Sequence, residues 1–178
     1  NYPEAHNNLG TALREDGQLR AAIESYEWAI AYKSDFAEAH NNLGNALMDC
    51  GKLDDAIKSY ESAIACNSEY AESYNNLGNA FKQYGKLEDA IKNYEMALII
   101  NPKFVEAHLE LSRIKKYKKN DSQIVNMQSM LTEEGITLIN RIGINFALAH
   151  AYENLENQDH QFKFLNEANR LRKKELNY

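Results

Sequence analysis

The chain has 178 residues and a formal net charge of -6, from 26 Asp and Glu against 20 Lys and Arg. Two prolines and eight glycines argue against extensive disorder, and the mild acidity argues against a nucleic-acid-binding domain. The longest apolar run, Ala97 to Ile100, is far shorter than the roughly 20 residues that span a bilayer, so we expect a soluble, mostly helical chain.

A period of 34 residues dominates the first 104 residues. The sequence NNLG occurs three times, beginning at Asn7, Asn41 and Asn75. Each copy contains two patterns with apolar residues three and four positions apart, separated by a short glycine-containing break. Each copy is therefore predicted to be a hairpin of two helices. The three regular units are 3–36, 37–70 and 71–104.

The glycines of each copy have two predicted roles. Gly17, Gly51 and Gly85 follow the first helix, where a left-handed residue ends a helix without steric cost. A second glycine lies inside the first helix and is predicted to face an alanine of the second helix, so that two backbones approach closely. These pairs are Gly10 with Ala22, Gly44 with Ala56 and Gly78 with Ala90.

The period weakens after residue 104. Residues 105–135 are predicted to form a half repeat followed by a short irregular helix, which Asp121 caps. Residues 136–178 are predicted to form a divergent helix pair, whose first helix begins near Thr137. A terminal pair of this kind is a possible C-terminal cap for the stack.

The recurring residues resemble the tetratricopeptide repeat (TPR) family: Leu-Gly in the first helix, Gly at the turn, then Ala, Tyr and Ala in the second helix. The resemblance implies an all-α fold, a right-handed α-solenoid (superhelix) of antiparallel helical hairpins. Ser34 and Ser68 stand where the family often has proline and are predicted to cap the following helices.

The sequence has no Gly-rich phosphate loop, nucleophile elbow or pair of catalytic carboxylates. His6, His40 and His108 share one position of the repeat, about 10 Å apart from unit to unit, which is too far to share a metal ion. We therefore expect no catalytic residue, no metal site and no cofactor, so that this fragment is not itself an enzyme.

The asparagines form the predicted site. In a TPR stack the first helices line a concave groove, and the residues before Leu-Gly point into it. A carboxamide offers hydrogen-bond donors and an acceptor without net charge. Neighbouring first helices lie about 10 Å apart, which matches three residues of extended chain at about 3.3 Å each. The predicted peptide-binding groove consists of Asn8, Asn42, Asn76, Asn7, Asn41, Asn75, Thr11, Asn45 and Asn79.

The stretch AHNNLGNAL is similar to the TPR arrays of O-linked N-acetylglucosamine transferases, in which the asparagine before Leu-Gly grips a peptide backbone. By that resemblance Asn8, Asn42 and Asn76 form the ladder. The alternative is that these asparagines only solvate the concave face or bond neighbouring helices. A clamp for a C-terminal carboxylate is disfavoured, because only Arg14 and Lys82 lie near the groove positions.

The predicted function is a non-catalytic protein-protein interaction module that binds an extended peptide segment. In the alternative, the chain is the N-terminal accessory region of a larger transferase, because roughly the last 70 residues resemble the segment before the catalytic domain in bacterial TPR-sulfotransferase fusions. The first residue is not Met and the last segment stops within a helical pattern, so we expect a longer protein, with any catalytic domain beyond Tyr178.

The expected partner is a protein or peptide, with no nucleic acid and no membrane, and self-association through the solenoid ends is a third possibility. Cys50 and Cys66 have no metal-ligand spacing and are predicted to be reduced. Together with the lack of a signal pattern at the N-terminus, they favour the cytoplasm.

Overall fold

The computed structural model describes residues 2–176, and this part of the chain contains ten α-helices and no β-strand. None of these helices is long and apolar enough to cross a bilayer. The helices are α1 (Pro3–Glu15), α2 (Leu19–Tyr32), α3 (Ala37–Asp49), α4 (Leu53–Cys66), α5 (Ala71–Gln83), α6 (Leu87–Ile100), α7 (Val105–Ser112), α8 (Ser122–Thr132), α9 (Leu138–Asn154) and α10 (Gln158–Glu175).

The chain divides into two compact units, residues 1–100 and 101–178. The first unit contains α1 to α6, and the second contains α7 to α10. The predicted limits of the repeats, with a boundary after residue 104, stay a prediction.

The first unit consists of three helical hairpins. Each first helix packs against its own second helix, and each second helix packs against the first helix of the next hairpin. Successive first helices contact one another more extensively than successive second helices do. The first helices therefore form the inner, concave side of the unit, and we call α1, α3 and α5 the inner row.

The turn glycines have the predicted left-handed conformation. The φ angles of Gly17, Gly51 and Gly85 are 78°, 72° and 82°. In the second unit the equivalent turn is made by Glu156, at φ 56°.

The atoms nearest to a Cβ added at each helical glycine belong to a tyrosine of the second helix, whereas the sequence analysis expected an alanine there. A Cβ atom placed on Gly44 would lie 2.5 Å from Cε1 of Tyr60. The equivalent contacts are Gly10 with Tyr26 and Gly78 with Tyr94. Tyr60 is only 2% exposed. The glycine therefore makes room for a buried aromatic ring of the second helix.

The helix caps differ between the two units. Ser34 and Ser68 do not cap the following helices, because α3 and α5 begin after Phe36 and Tyr70 with no side-chain cap. Asp121 does cap α8, as predicted: its side chain accepts a hydrogen bond from the Gln123 amide at 3.0 Å.

The second unit packs around α9, and its core combines residues of all four helices, among them Val105, Met127, Leu148 and Phe164.

Candidate functional site

Six of the nine predicted groove residues are accessible on the inner row. Asn8 is exposed, and the other five are half-buried: Asn42, Asn76, Thr11, Asn45 and Asn79. In each helix the two accessible residues are three positions apart, so they lie on one face. The inner row thus carries a strip of neutral polar side chains.

The other three predicted residues are not on the surface. Asn7, Asn41 and Asn75 are 2%, 0% and 6% exposed, so they do not form the wall of the groove as the sequence analysis expected. The physical reason is that Asn7 and Asn41 bond the first helix of the following hairpin. This is the alternative role that the sequence analysis left open, and it applies to these buried asparagines.

The link between the first two hairpins passes through Asn7. Its Nδ2 donates to Glu38 Oε1 at 2.9 Å, and its Oδ1 accepts from Asn42 Nδ2 at 3.0 Å. Glu38 and Asn42 are one helical turn apart on α3, so one buried amide contacts both. The two inner helices are therefore joined by a polar link as well as by packing.

The same link recurs one repeat later. Asn41 Nδ2 donates to Glu72 Oε1 at 3.2 Å, and Asn41 Oδ1 accepts from Asn76 Nδ2 at 3.1 Å and from Ser73 Oγ at 3.0 Å. Asn76 Nδ2 also donates to Asn45 Oδ1 at 3.1 Å. The asparagines of the motif thus form a connected network across the inner row.

Thr11, Asn45 and Asn79 each accept a hydrogen bond from a buried tyrosine of the same hairpin. Tyr60 donates its hydroxyl proton to Asn45 Oδ1 at 2.8 Å, and burial raises the pKa of this hydroxyl, which keeps it a donor. The same pairing occurs in the other hairpins, between Tyr26 and Thr11 at 3.2 Å and between Tyr94 and Asn79 at 2.7 Å.

Acidic side chains flank this strip. Glu4, Glu38 and Glu72 are exposed and lie four residues before the accessible asparagines of their helices. Arg14, a basic residue of the inner row, forms an ion pair with Asp49 at 2.7 Å. Residues 1–100 contain eight basic and 16 acidic side chains, a net charge of -8. The inner row therefore combines neutral amides with an acidic surrounding.

The histidines have roles in packing and hydrogen bonding. The His6 ring stacks on Tyr32 with ring centroids 5.4 Å apart, and His108 Nε2 lies 2.9 Å from the Pro102 carbonyl oxygen. Within residues 2–176 no three His, Cys, Asp or Glu side chains are placed together to hold a metal ion.

Family comparisons agree with the internal repeats. A TPR repeat model matches residues 10–49 and 44–85, and tetratricopeptide repeat models match residues 71–104 and 142–175. The chain belongs to the tetratricopeptide repeat family. Together with the helical hairpins, these matches confirm the predicted all-α, TPR-type solenoid. The last match lies on α9 and α10. No curated protein sequence matches the chain.

Solved TPR structures are similar to this chain. The first TPR of Spaghetti (RPAP3), bound to the HSP90 peptide SRMEEVD, is 27% identical with a TM-score of 0.61, covering 63% of this chain and 89% of that chain. The second TPR of the same protein, with the same peptide, is 25% identical with a TM-score of 0.55, covering 57% and 94%. MamA is 23% identical with a TM-score of 0.69 over 95% and 97%, which shows the fold alone.

Proposed function

We propose that this chain is a non-catalytic protein-interaction module that binds an extended peptide segment along the inner row. The observation that carries the proposal is the strip of accessible amides on α1, α3 and α5, one group per repeat on the same face. Two of its members, Asn42 and Asn76, are held by hydrogen bonds to buried neighbours. A ligand would therefore lose little free energy in ordering them.

The spacing of the strip supports backbone recognition. Neighbouring first helices lie about 10 Å apart, and three residues of extended chain cover a similar length at about 3.3 Å each. Carboxamides bond peptide groups whatever side chains the peptide carries. The similarity to two TPR domains that bind an HSP90 peptide supports a peptide as the ligand.

The charge of the inner row favours a neutral or basic partner. The peptide in those solved structures, SRMEEVD, contains three acidic residues, which the exposed Glu4, Glu38 and Glu72 would repel. Arg14 is already paired with Asp49. We infer that this chain does not use its groove as a clamp for an acidic C-terminus.

Two finer possibilities extend this proposal. In the first, Asn8, Asn42 and Asn76 would hold a peptide backbone, as in O-linked N-acetylglucosamine transferases. In the second, the chain would position an acceptor protein for a transferase domain, most simply a sulfotransferase. Both rest on sequence resemblance. Reading the gene beyond Tyr178 tests the second, because a stop codon there contradicts it. Self-association and location in the cytoplasm stay predictions.

A peptide selection tests the function itself. A display library of random 12-residue peptides is selected on the wild-type chain and counter-selected on the variant Asn8→Ala, Asn42→Ala, Asn76→Ala. The control variant, Asn166→Ala with Asn169→Ala, removes two exposed asparagines of α10. We expect peptides that bind the wild type and the control but not the triple variant. Failure to recover any such peptide contradicts the proposal.

A further inference from the structure

We propose that Glu38 and Glu72 fix the direction of the groove amides, so that the groove presents carboxamide oxygens and recognises backbone N–H groups at one residue in three. This inference rests on the proposed function and specifies its ligand: a segment in a polyproline II conformation that has no proline at the recognised position. The glutamates act as positioning residues, through the buried asparagines.

Glutamates of the following hairpin orient the buried asparagines Asn7 and Asn41. An ionised carboxylate only accepts hydrogen bonds. Because Glu38 Oε1 lies 2.9 Å from the Asn7 side chain, the Asn7 group that faces it is the NH2 group, and the Asn7 oxygen faces the other way. Glu72 orients Asn41 in the same manner at 3.2 Å.

The buried asparagines in turn orient the accessible asparagines Asn42 and Asn76. The oxygens of Asn7 and Asn41 need donors, so Asn42 and Asn76 turn their NH2 groups inward, at 3.0 Å and 3.1 Å. The NH2 group of Asn76 also donates a hydrogen bond to Asn45 Oδ1 at 3.1 Å. A carboxamide has two N–H donors, and both donors of Asn76 are thus occupied.

The carboxamide oxygens of Asn42 and Asn76 remain open to a ligand. Within residues 2–176 the Oδ1 atoms of Asn42 and Asn76 accept no hydrogen bond. Asn76 therefore offers only an acceptor, and Asn42 offers an acceptor and one remaining N–H. Within residues 2–176 Asn8 makes no such hydrogen bond. Asn42 and Asn76 therefore share one property, an open carbonyl oxygen, which binds a peptide N–H.

The spacing of the rungs selects the conformation of the ligand. In a β-strand, residues three apart point to opposite sides, because successive residues alternate. A polyproline II helix has three residues per turn and rises about 3.1 Å per residue, so every third N–H points the same way at about 9 Å, close to the helix spacing of about 10 Å. Proline has no N–H, and is excluded at that one position in three.

The orientation of the amides is tested without any ligand. Asn76→Asp replaces the inward NH2 group with an oxygen that faces the oxygens of Asn41 and Asn45. We expect the unfolding equilibrium constant, measured by urea denaturation at pH 7, to rise about tenfold or more. The matched control Asn8→Asp, which has no such partners, should leave it unchanged. Equal effects of the two substitutions would overturn the inference.

The ligand is tested with the peptides recovered from the 12-residue library on the full chain. Peptides with proline absent from one register in three and present in the other two support the inference. Proline spread evenly over the three registers overturns it while the proposed function stands. If no peptide distinguishes the wild type from the triple variant, the proposed function fails and this inference fails with it.

An ester scan of one recovered peptide locates the recognised N–H groups. Replacing the N–H at the proline-free register by an ester oxygen should weaken binding about fivefold. Ester substitution at the other two registers is the control and should have little effect. The same loss at all three registers would contradict recognition of one N–H in three.

Discussion

At the residue scale, each hairpin of the first unit depends on a glycine, a tyrosine and a polar residue. Gly44 leaves space for the ring of Tyr60, and the Tyr60 hydroxyl then reaches Asn45 on the inner row. Glycine is unfavourable in a helix interior, but here the tyrosine requires it. The packing inside the hairpin and the orientation of a groove residue are in this way connected.

Gly44→Ala tests this connection through the sign of its effect. Alanine in a helix interior ordinarily stabilises by about 1 kcal/mol relative to glycine. Here the new Cβ would lie 2.5 Å from a buried ring, so we expect a loss of about 1–3 kcal/mol in the free energy of unfolding, as in overpacked cores. Urea denaturation measures it, and a stabilised variant would contradict the tyrosine contact.

The repeated asparagines show how far the sequence leads at this scale. The pattern identified both asparagines of each repeat, but it did not show that Asn41 is buried and that Asn42 is accessible. Neighbouring residues of a helix differ in direction by about 100°, and a single sequence does not reveal which of two polar neighbours a partner helix covers. The recurrence of Glu4, Glu38 and Glu72 at the same period was the signal that could have indicated a bonded partner.

At the element scale, α7 and α8 of the second unit are linked through a buried histidine. His108 is 1% exposed; its Nε2 lies 2.9 Å from the Pro102 carbonyl oxygen, and its Nδ1 lies 3.3 Å from Gln123 Nε2. The carbonyl only accepts, so Nε2 carries the proton and Nδ1 accepts from Gln123. Lys115 donates to the oxygen of the same glutamine at 3.5 Å, which is consistent with this orientation.

This histidine predicts a pH dependence of stability. Burial lowers the pKa of His108 below its ordinary value of 6.5, the hydrogen bond to Pro102 opposes the shift, and the charge of Lys115 adds to it. Below pH 6.5 the unfolded chain binds a proton here that the folded chain does not. We therefore expect the contribution of His108 to the free energy of unfolding to be complete above pH 6.5 and to decrease as the pH falls towards the lowered pKa.

Urea denaturation of the wild type and of His108→Gln between pH 7.5 and 5.0 measures this contribution. The wild type should lose more stability than the variant over this range. His150→Gln, which changes a partly exposed histidine, is the control for replacing a histidine elsewhere in the second unit. If His108→Gln keeps the slope of the wild type, His108 is not the group responsible.

At the scale of the whole molecule, the chain combines a regular unit with an irregular one. The fold of the first unit could be predicted because a 34-residue period fixes the helices, the turns and most of the core at once. The second unit lacks this period: α7 ends at Ser112, and α8 follows a nine-residue connection, 113–121. Only local signals were available there, such as the Asp121 cap, so its helices could be placed but their packing around α9 could not.

The network of asparagines connects all three helices of the inner row, so the function proposed for it is a property of several repeats together. Asn42 and Asn76 each depend on a buried asparagine of the preceding hairpin, and that asparagine is oriented by a glutamate. A single isolated hairpin has no such relay. The proposed binding element is therefore the row of helices rather than any one motif.

Isothermal titration of a library-selected peptide into three proteins tests this account most directly: the wild type, the variant Asn8→Ala, Asn42→Ala, Asn76→Ala, and the control Asn166→Ala, Asn169→Ala. Circular dichroism first establishes that all three are folded. We predict that the triple variant binds about tenfold more weakly or worse, because it lacks the backbone hydrogen bonds, while the control binds like the wild type. Equal affinity of the folded triple variant and the wild type would contradict the account.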